Sequence, residues 1–218
     1  MSGLLAGVLD LIFPRRCVFC RRFLEKSEGD ICKRCVTELP YTSNGGERAG
    51  KHFSLCVAPL YYEKDVRESI HRYKFHDAEL YAHAYGRLVA DCIRDRLSGQ
   101  FDLISWVPLS RERLRERGYD QAMLLAKAAA AELGAECMPM LEKVRDTARQ
   151  SQTGSAEKRR ANIAGAYRVL EPERVRDKRI LLIDDVVTTG ATLDECARTL
   201  RRAGAPAVFC AALARRRD

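Results

Sequence analysis

The sequence predicts an α/β protein: a parallel sheet with helices on both faces, preceded by a small four-cysteine module. Three observations carry this. From Phe101 onward, short apolar runs alternate with helical patterns, the order expected of a parallel sheet fed by crossover helices. Aromatic residues make up only 7% of a chain that is 46% hydrophobic, so aliphatic side chains and alanine must build the core. The 218 residues suffice for one full α/β domain and a small satellite, and the first forty carry two Cys-x2-Cys pairs.

The elements follow in order. Leu4, Leu5, Val8, Leu11 and Ile12 fall at helical spacing, which predicts a short amphipathic helix ending at Pro14. This stretch has no basic segment ahead of it, is interrupted by Asp10 and is too short to span a bilayer, so it makes a poor signal peptide. No other stretch reads as a membrane span, and a cytoplasmic protein with reduced cysteines is expected. Residues 1–40 form the first part. Residues 41–100 form a connecting segment, opening on the polar SNGGERAGKH and continuing as one or two strands over Ser54–Tyr62. Two helices are then expected, near Val66–Tyr73 and Glu79–Arg96.

Residues 101–218 read as the core. Asp102–Val107 is a strand stopped by Pro108, and Gln121–Leu133 is an alanine-rich helix ending at Gly134. Lys143–Asn162 is basic and poor in large apolar residues, as in an exposed loop. Arg179–Ile183 is a strand buried on both faces by its unbroken apolar run. Thr192–Ala203 is a helix with Leu193, Cys196, Ala197 and Leu200 on one face and Gly204 past its end. Val208–Leu213 is the last strand.

Lysine and arginine total 38 against 30 acids, a formal charge of +8. Such a surplus attracts phosphate-bearing partners, whether a sugar phosphate, a nucleotide or a nucleic acid; a solvated surface gives the same count. The most specific stretch is Ile180–Thr192, ILLIDDVVTTGAT. A buried strand ends in Asp184-Asp185, and the chain passes through Thr188-Thr189-Gly190-Ala191-Thr192 into a helix. Ligands of open parallel sheets bind beyond the carboxyl ends of strands, and backbone N–H groups opening a helix attract anions. The acids, one step earlier, suit a sugar's hydroxyls; a magnesium site or a helix cap are the other readings of such a pair.

This segment resembles the thirteen-residue signature of type I phosphoribosyltransferases. The resemblance implies a phosphoribosyltransferase-type, Rossmann-like core. It also implies that Asp184 and Asp185 are the catalytic pair on the ribose hydroxyls, and that Thr188, Thr189, Gly190, Ala191 and Thr192 cradle the 5′-phosphate. Purine-salvage members usually carry an acid where this chain has Thr188, which has no pKa useful for handling a base proton; hypoxanthine or guanine salvage is therefore not expected.

In that family the loop after the first core strand meets pyrophosphate, which assigns Ser110 and Arg111 to it. Arg111, Arg113, Arg115 and Arg117 alternate with Glu112 and Glu116, a pattern that an exposed, ion-paired helix also produces. In Arg117-Gly118-Tyr119-Asp120-Gln121 the glycine breaks one helix and Asp120 can cap the next. The basic span with Lys143, Arg145, Arg149, Gln150, Arg159, Arg160 and Asn162 reads as a flap over pyrophosphate or as a surface loop. Arg145 and Arg149 are its assigned pyrophosphate contacts.

RERGYDQA, the Arg145-x3-Arg149-Gln150 spacing, RRANIAGAY and DDVVTTGAT occur in an order similar to the ComF family, across nearly the whole chain. That family comprises competence-associated and GntX-like phosphoribosyltransferase-domain proteins, many with an N-terminal zinc module. RGYDQ departs from the usual RGFNQ, and Trp106 is unusual in its strand. The resemblance implies phosphoribosyl pyrophosphate or another sugar phosphate as ligand, with Mg²⁺, and phosphoribosyl transfer to a nitrogen acceptor. Its alternative is non-catalytic binding of phosphoribosyl groups or single-stranded DNA during DNA uptake, with competence-machinery proteins as partners. The acceptor hood must come from before Phe101, where Tyr61, Tyr62, Arg72, Tyr73, Lys74 and Phe75 are candidates.

Cys17 and Cys20, and Cys32 and Cys35, form two knuckles separated by eleven residues. Four thiolates suit a tetrahedral Zn²⁺ with no position left for substrate, hence a structural site. Arg15, Arg16, Arg21, Arg22, Lys33 and Arg34 would offset its charge. A redox Cys-x2-Cys would sit on a thioredoxin-like helix, and none is evident. Cys56, Cys92, Cys137, Cys196 and Cys210 read as small buried apolar residues, and His52, His71, His76 and His83 as packing or surface residues.

Overall fold

The computed structural model describes residues 14–74, 78–145 and 163–217. The expected helix over Leu4–Ile12, together with Phe75, His76, Arg149, Gln150, Arg159, Arg160 and Asn162, lies outside them. The elements are α1 (Lys33–Glu38), β1 (Cys56–Val57), β2 (Leu60–Tyr61), α2 (Lys64–Tyr73), α3 (Ala78–Leu97), β3 (Leu103–Trp106), α4 (Arg111–Arg117), α5 (Gln121–Leu133), β4 (Leu141–Lys143), β5 (Tyr167–Val169), α6 (Pro172–Val175), β6 (Ile180–Val187), α7 (Ala191–Arg202) and β7 (Val208–Arg215). Among the described residues no helix is long and apolar enough to cross a membrane.

β6 lies at the centre of the main sheet, parallel to β3 on one side and β7 on the other, and β1 and β2 pair in parallel with the outer side of β7. Its alternate residues serve two layers. Leu181 and Ile183 pack with Val89, Ile93, Leu125 and Ala129 of α3 and α5. Ile180 and Leu182 pack with Leu193, Cys196, Ala197 and Leu200 of α7. Burial on both faces is why this strand has no polar alternation. The segment ahead of residue 101 thus supplies strands to the same sheet: Cys56 lies opposite Cys210, and Leu60 opposite Ala214.

The sequence reading ends the central strand at Ile183, but the ladder runs on through the acid pair to Val187. β7 causes the difference by pairing Asp184 with Ala212 and Val186 with Ala214. β3 stops at Trp106, opposite Ile183, and Val107 makes the last bond from its N–H to the Ile183 carbonyl at 2.9 Å. Beyond Ile183, β6 therefore has a neighbour on one side and an opening on the other. β4 and β5 form a separate antiparallel pair, too short to leave a period in the sequence.

The cysteine module is seated on the first layer: Val18 and Phe19 are buried among Tyr73, Tyr81 and Tyr85 of α2 and α3. α3 and α5 approach closely at Gly86, where an added Cβ would fall 2.5 Å from the Ala128 Cβ and 2.9 Å from the Ala128 carbonyl carbon. Since backbone cannot yield as a flexible side chain does, Gly86→Val is expected to destabilise the fold by about 1–3 kcal/mol, read as a lower urea midpoint with an unchanged slope.

Candidate functional site

At the carboxyl ends of β3 and β6 the sheet opens into a cleft of about 620 Å³. Asp184, Asp185, Thr188 and Thr192 line one side. Pro108, Arg113 and Arg117, from the segment after β3, face them. Tyr62, Lys74 and Arg216 form a third wall, with Lys143, Ile163 and Tyr167 from the β4–β5 base. Lys74, Arg113, Arg117, Lys143 and Arg216 outnumber Glu116, Asp184 and Asp185, so the cleft is suited to a polyanion.

The two aspartates have different environments. The Asp185 N–H donates to Asp184 Oδ1 at 2.8 Å, and Lys74 Nζ stands 2.6 Å from Asp185 Oδ2. Burial, then the charge of Asp185, raises the pKa of Asp184. Burial also acts against Asp185, but Lys74 foremost, together with Arg117 and the Val186 N–H, holds that carboxyl below its ordinary value.

After Val187 the chain turns through Thr188 and Thr189 to Gly190, which has φ +75° and ψ 1° ahead of α7. A Cβ there would meet only Phe53 Cζ at 3.9 Å, so the left-handed backbone, rather than crowding, calls for glycine. The turn encloses a concavity of about 30 Å³ lined by Ile163, Asp184 and residues 186–193, at the positive end of a twelve-residue helix. Residues 48–52 support it from behind. Arg48 Nη1 donates to the Thr188 carbonyl at 3.2 Å, while the His52 N–H donates to Asp194 Oδ1 at 2.8 Å and its Nδ1 lies 2.9 Å from Asp194 Oδ2. The sequence carries no mark of these contacts, which join residues some 140 positions apart.

The sulfur atoms of Cys17, Cys20, Cys32 and Cys35 lie within 4.8 Å of one another, with Cys20 and Cys32 at 3.7 Å. Zinc–sulfur bonds of about 2.3 Å in a tetrahedron require sulfur separations of roughly 3.8 Å, so the donor set fits zinc. Arg22 is drawn to Cys32 and Arg34 to Cys20, as cations offsetting thiolate charge should be. Buried Glu28 accepts the N–H groups of Glu25 and Lys33 and ties down the turn between the knuckles.

The phosphoribosyl transferase domain family matches residues 120–218, and the double zinc ribbon domain family matches residues 8–64. The chain is 31% identical over 220 residues to the DNA utilization protein YhgH of Salmonella typhi, covering 91% of this chain and 96% of that one. It is 28% identical over 227 residues to competence protein F of Haemophilus influenzae, covering 93% and 98%. The chain belongs to the ComF family. Among solved structures, adenine phosphoribosyltransferase from Thermoanaerobacter pseudethanolicus matches at 17% identity with a TM-score of 0.40, over 64% of this chain and 82% of that one.

On this ComF-family scaffold the expected residues are sorted as follows. Asp184, Asp185, Thr188, Thr189, Gly190, Ala191 and Thr192 come together around the cleft and its adjoining concavity. Ser110 does not reach the cleft: it is buried, and its hydroxyl accepts the Arg113 N–H as the cap of α4. Arg111 is exposed and outside the cleft wall, where Arg113 and Arg117, two and six positions on, stand instead. Arg145 is exposed and donates to the Ala164 carbonyl at 2.8 Å. Of the hood candidates, Tyr62 and Lys74 line the cleft. Tyr73 is fully buried and cannot face an acceptor, Arg72 is turned to the Val18 and Phe19 carbonyls, and the Tyr61 ring lies under Arg217.

In the ComF-family element RGYDQ, Gly118 ends α4 and Asp120 opens α5, as the sequence reading expects. Asp120 caps α5 through the Met123 N–H and also accepts the Leu109 N–H, fixing both ends of the α4 excursion. Arg117 Nη1 donates to Gln121 Oε1 at 2.7 Å. The Tyr119 hydroxyl donates to the Tyr73 carbonyl at 2.6 Å and the Tyr73 hydroxyl to the Gln121 carbonyl at 2.7 Å.

Two outcomes follow from the site. Because the pKa of Asp184 is raised, the folded chain binds that proton more tightly than the unfolded chain. Both states are protonated below the unfolded pKa; as pH rises through it only the unfolded state ionises freely, and stability falls until the folded pKa is passed. Asp184→Asn should therefore be more stable than wild type at pH 7 and nearly equal to it at about pH 3, as thermal midpoints at the two pH values would show. Metal analysis should find about one zinc per chain, and Cys35→Ser should lose it together with several degrees of thermal midpoint.

Proposed function

We propose that the cleft binds phosphoribosyl pyrophosphate, or a related ribose 5-phosphate ligand, and transfers phosphoribose to a nitrogen acceptor. The observation that carries this reading is the acid pair and the Thr188–Thr192 helix opening side by side on one cationic cleft. Asp184 and Asp185 accept the ribose hydroxyls, and the N–H groups opening α7 take the 5′-phosphate. Arg113, Arg117 and Lys143 face the pyrophosphate, with Arg145 and Arg149 on the stretch that follows β4.

The bond from the anomeric carbon to pyrophosphate breaks as a nitrogen lone pair forms the new one, and the electron pair leaves with pyrophosphate. Mg²⁺ bound with the ligand supplies neutralising charge on the leaving group. Thr188 offers no base, so the chain contributes position and fixed charge. The Tyr62 wall is left for the acceptor.

A second reading is supported by the names of the relatives, a competence protein and a DNA utilization protein, and by the +8 charge. It makes the domain a binder of phosphoribosyl groups or single-stranded DNA without turnover, and competence-machinery proteins are then its partners.

Calorimetry with phosphoribosyl pyrophosphate and Mg²⁺ tests the first reading. Each carboxylate–hydroxyl contact contributes about 1.5 kcal/mol or more, so Asp184→Asn/Asp185→Asn should weaken binding by roughly a hundredfold or more. Equal binding by the double variant would reject the site. Pyrophosphate release across a panel of amine and ring-nitrogen acceptors separates transfer from binding. Single-stranded DNA affinity that falls steeply with salt and survives the double variant would place the second activity on another surface.

A further inference from the structure

Lys74 lies where three parts of the molecule meet. Its N–H closes α2 on the Ile70 and His71 carbonyls, and its ammonium reaches Asp185 at 2.6 Å, both side chains being less than a quarter exposed. An ammonium carries three N–H donors and a carboxylate about four acceptor sites. Asp185 can thus hold Lys74 and still accept a sugar hydroxyl, while the lysine keeps donors for a second group in the cleft.

The turn that delivers Lys74 is fixed from the cysteine module. The Ser69 hydroxyl donates to the Val18 carbonyl, and Arg72 Nη2 donates to the carbonyls of Val18 and Phe19, both inside the Cys17–Cys20 knuckle. Arg72 Nε also donates to the Tyr81 hydroxyl at 3.2 Å. Between Arg72 and Lys74, Tyr73 is locked to the Tyr119–Gln121 turn by a hydrogen bond in each direction. A continuous polar path therefore runs from the metal knuckle to the acid pair, although no cysteine reaches the cleft.

Resting on the reading of the cleft given above, we propose that Lys74 is a ligand-binding residue, bridging Asp185 and the phosphate oxygens of a ribose phosphate ligand, and that Arg72, anchored on the zinc knuckle, is its positioning residue. The zinc module is then part of the binding site's construction as well as a stabilising attachment.

The test is calorimetric titration with phosphoribosyl pyrophosphate and Mg²⁺ of the full chain and of Lys74→Arg, Lys74→Met, Arg72→Met and the Arg72→Met/Lys74→Met double variant. Zinc content and thermal midpoint are recorded for each. Loss of one charged hydrogen bond predicts about tenfold weaker binding or more for Lys74→Met. Lys74→Arg should stay within a few-fold of wild type, and Arg72→Met should weaken binding with its zinc retained. In the double variant the Arg72 substitution should add nothing, since its effect passes through Lys74. Wild-type affinity in Lys74→Met overturns the proposal. So does an Arg72→Met effect of the same size with and without Lys74, which marks general loosening. Absence of binding by wild type removes the underlying reading and this one with it, whereas tight wild-type binding with an unaffected Lys74→Met removes this one alone.

Discussion

The site depends on two adjacent carboxylates held half-buried where a parallel sheet loses one strand before the other. β3 ends opposite Ile183 and β7 continues past Val187, so Asp184 and Asp185 keep backbone order without being sealed in. Such a position is electrostatically costly. Burial opposes both charges and the charge of Asp185 opposes that of Asp184; Lys74 favours both carboxylates but makes its direct contact, at 2.6 Å, with Asp185. One acid is kept as a permanent acceptor and the other close to neutrality, a difference set by which of them the lysine reaches. Strain of this kind is expected where residues are arranged for a ligand rather than for stability.

What the sequence revealed divides along the range of the interactions. The central strand, the Gly190 turn and the four cysteines were legible because their signals are local: an apolar run, a residue needing positive φ, a ligand spacing. The capping role of Ser110 was not legible for the opposite reason. A serine after a strand suits a phosphate, but it equally suits a helix cap, and the Arg113 N–H was the nearer partner. Tyr73 looked like an aromatic available for stacking, and its burial between α3 and the Tyr119 turn has no one-dimensional signature. The same holds for Arg48 and His52 behind the Thr188–Gly190 turn and for Lys74 on Asp185, whose partners are fixed only once β1 and β2 pair with β7 and α2 packs beside α3.

The departure from the usual family element at residues 119 and 120 has a physical reading. A phenylalanine at 119 would fill the same space but could not donate to the Tyr73 carbonyl, leaving that buried acceptor to find another partner. An asparagine at 120 has one acceptor oxygen, whereas the two oxygens of Asp120 take the Leu109 and Met123 N–H groups separately. Burial raises the pKa of this aspartate even so, and its backbone donors offset part of that effect. This chain thus uses hydrogen bonds where the usual pair offers fewer, and both added bonds tighten the turn that carries Arg117 and receives Tyr73. The added order falls on the wall facing the acid pair, across which a ligand's charged groups would have to be held.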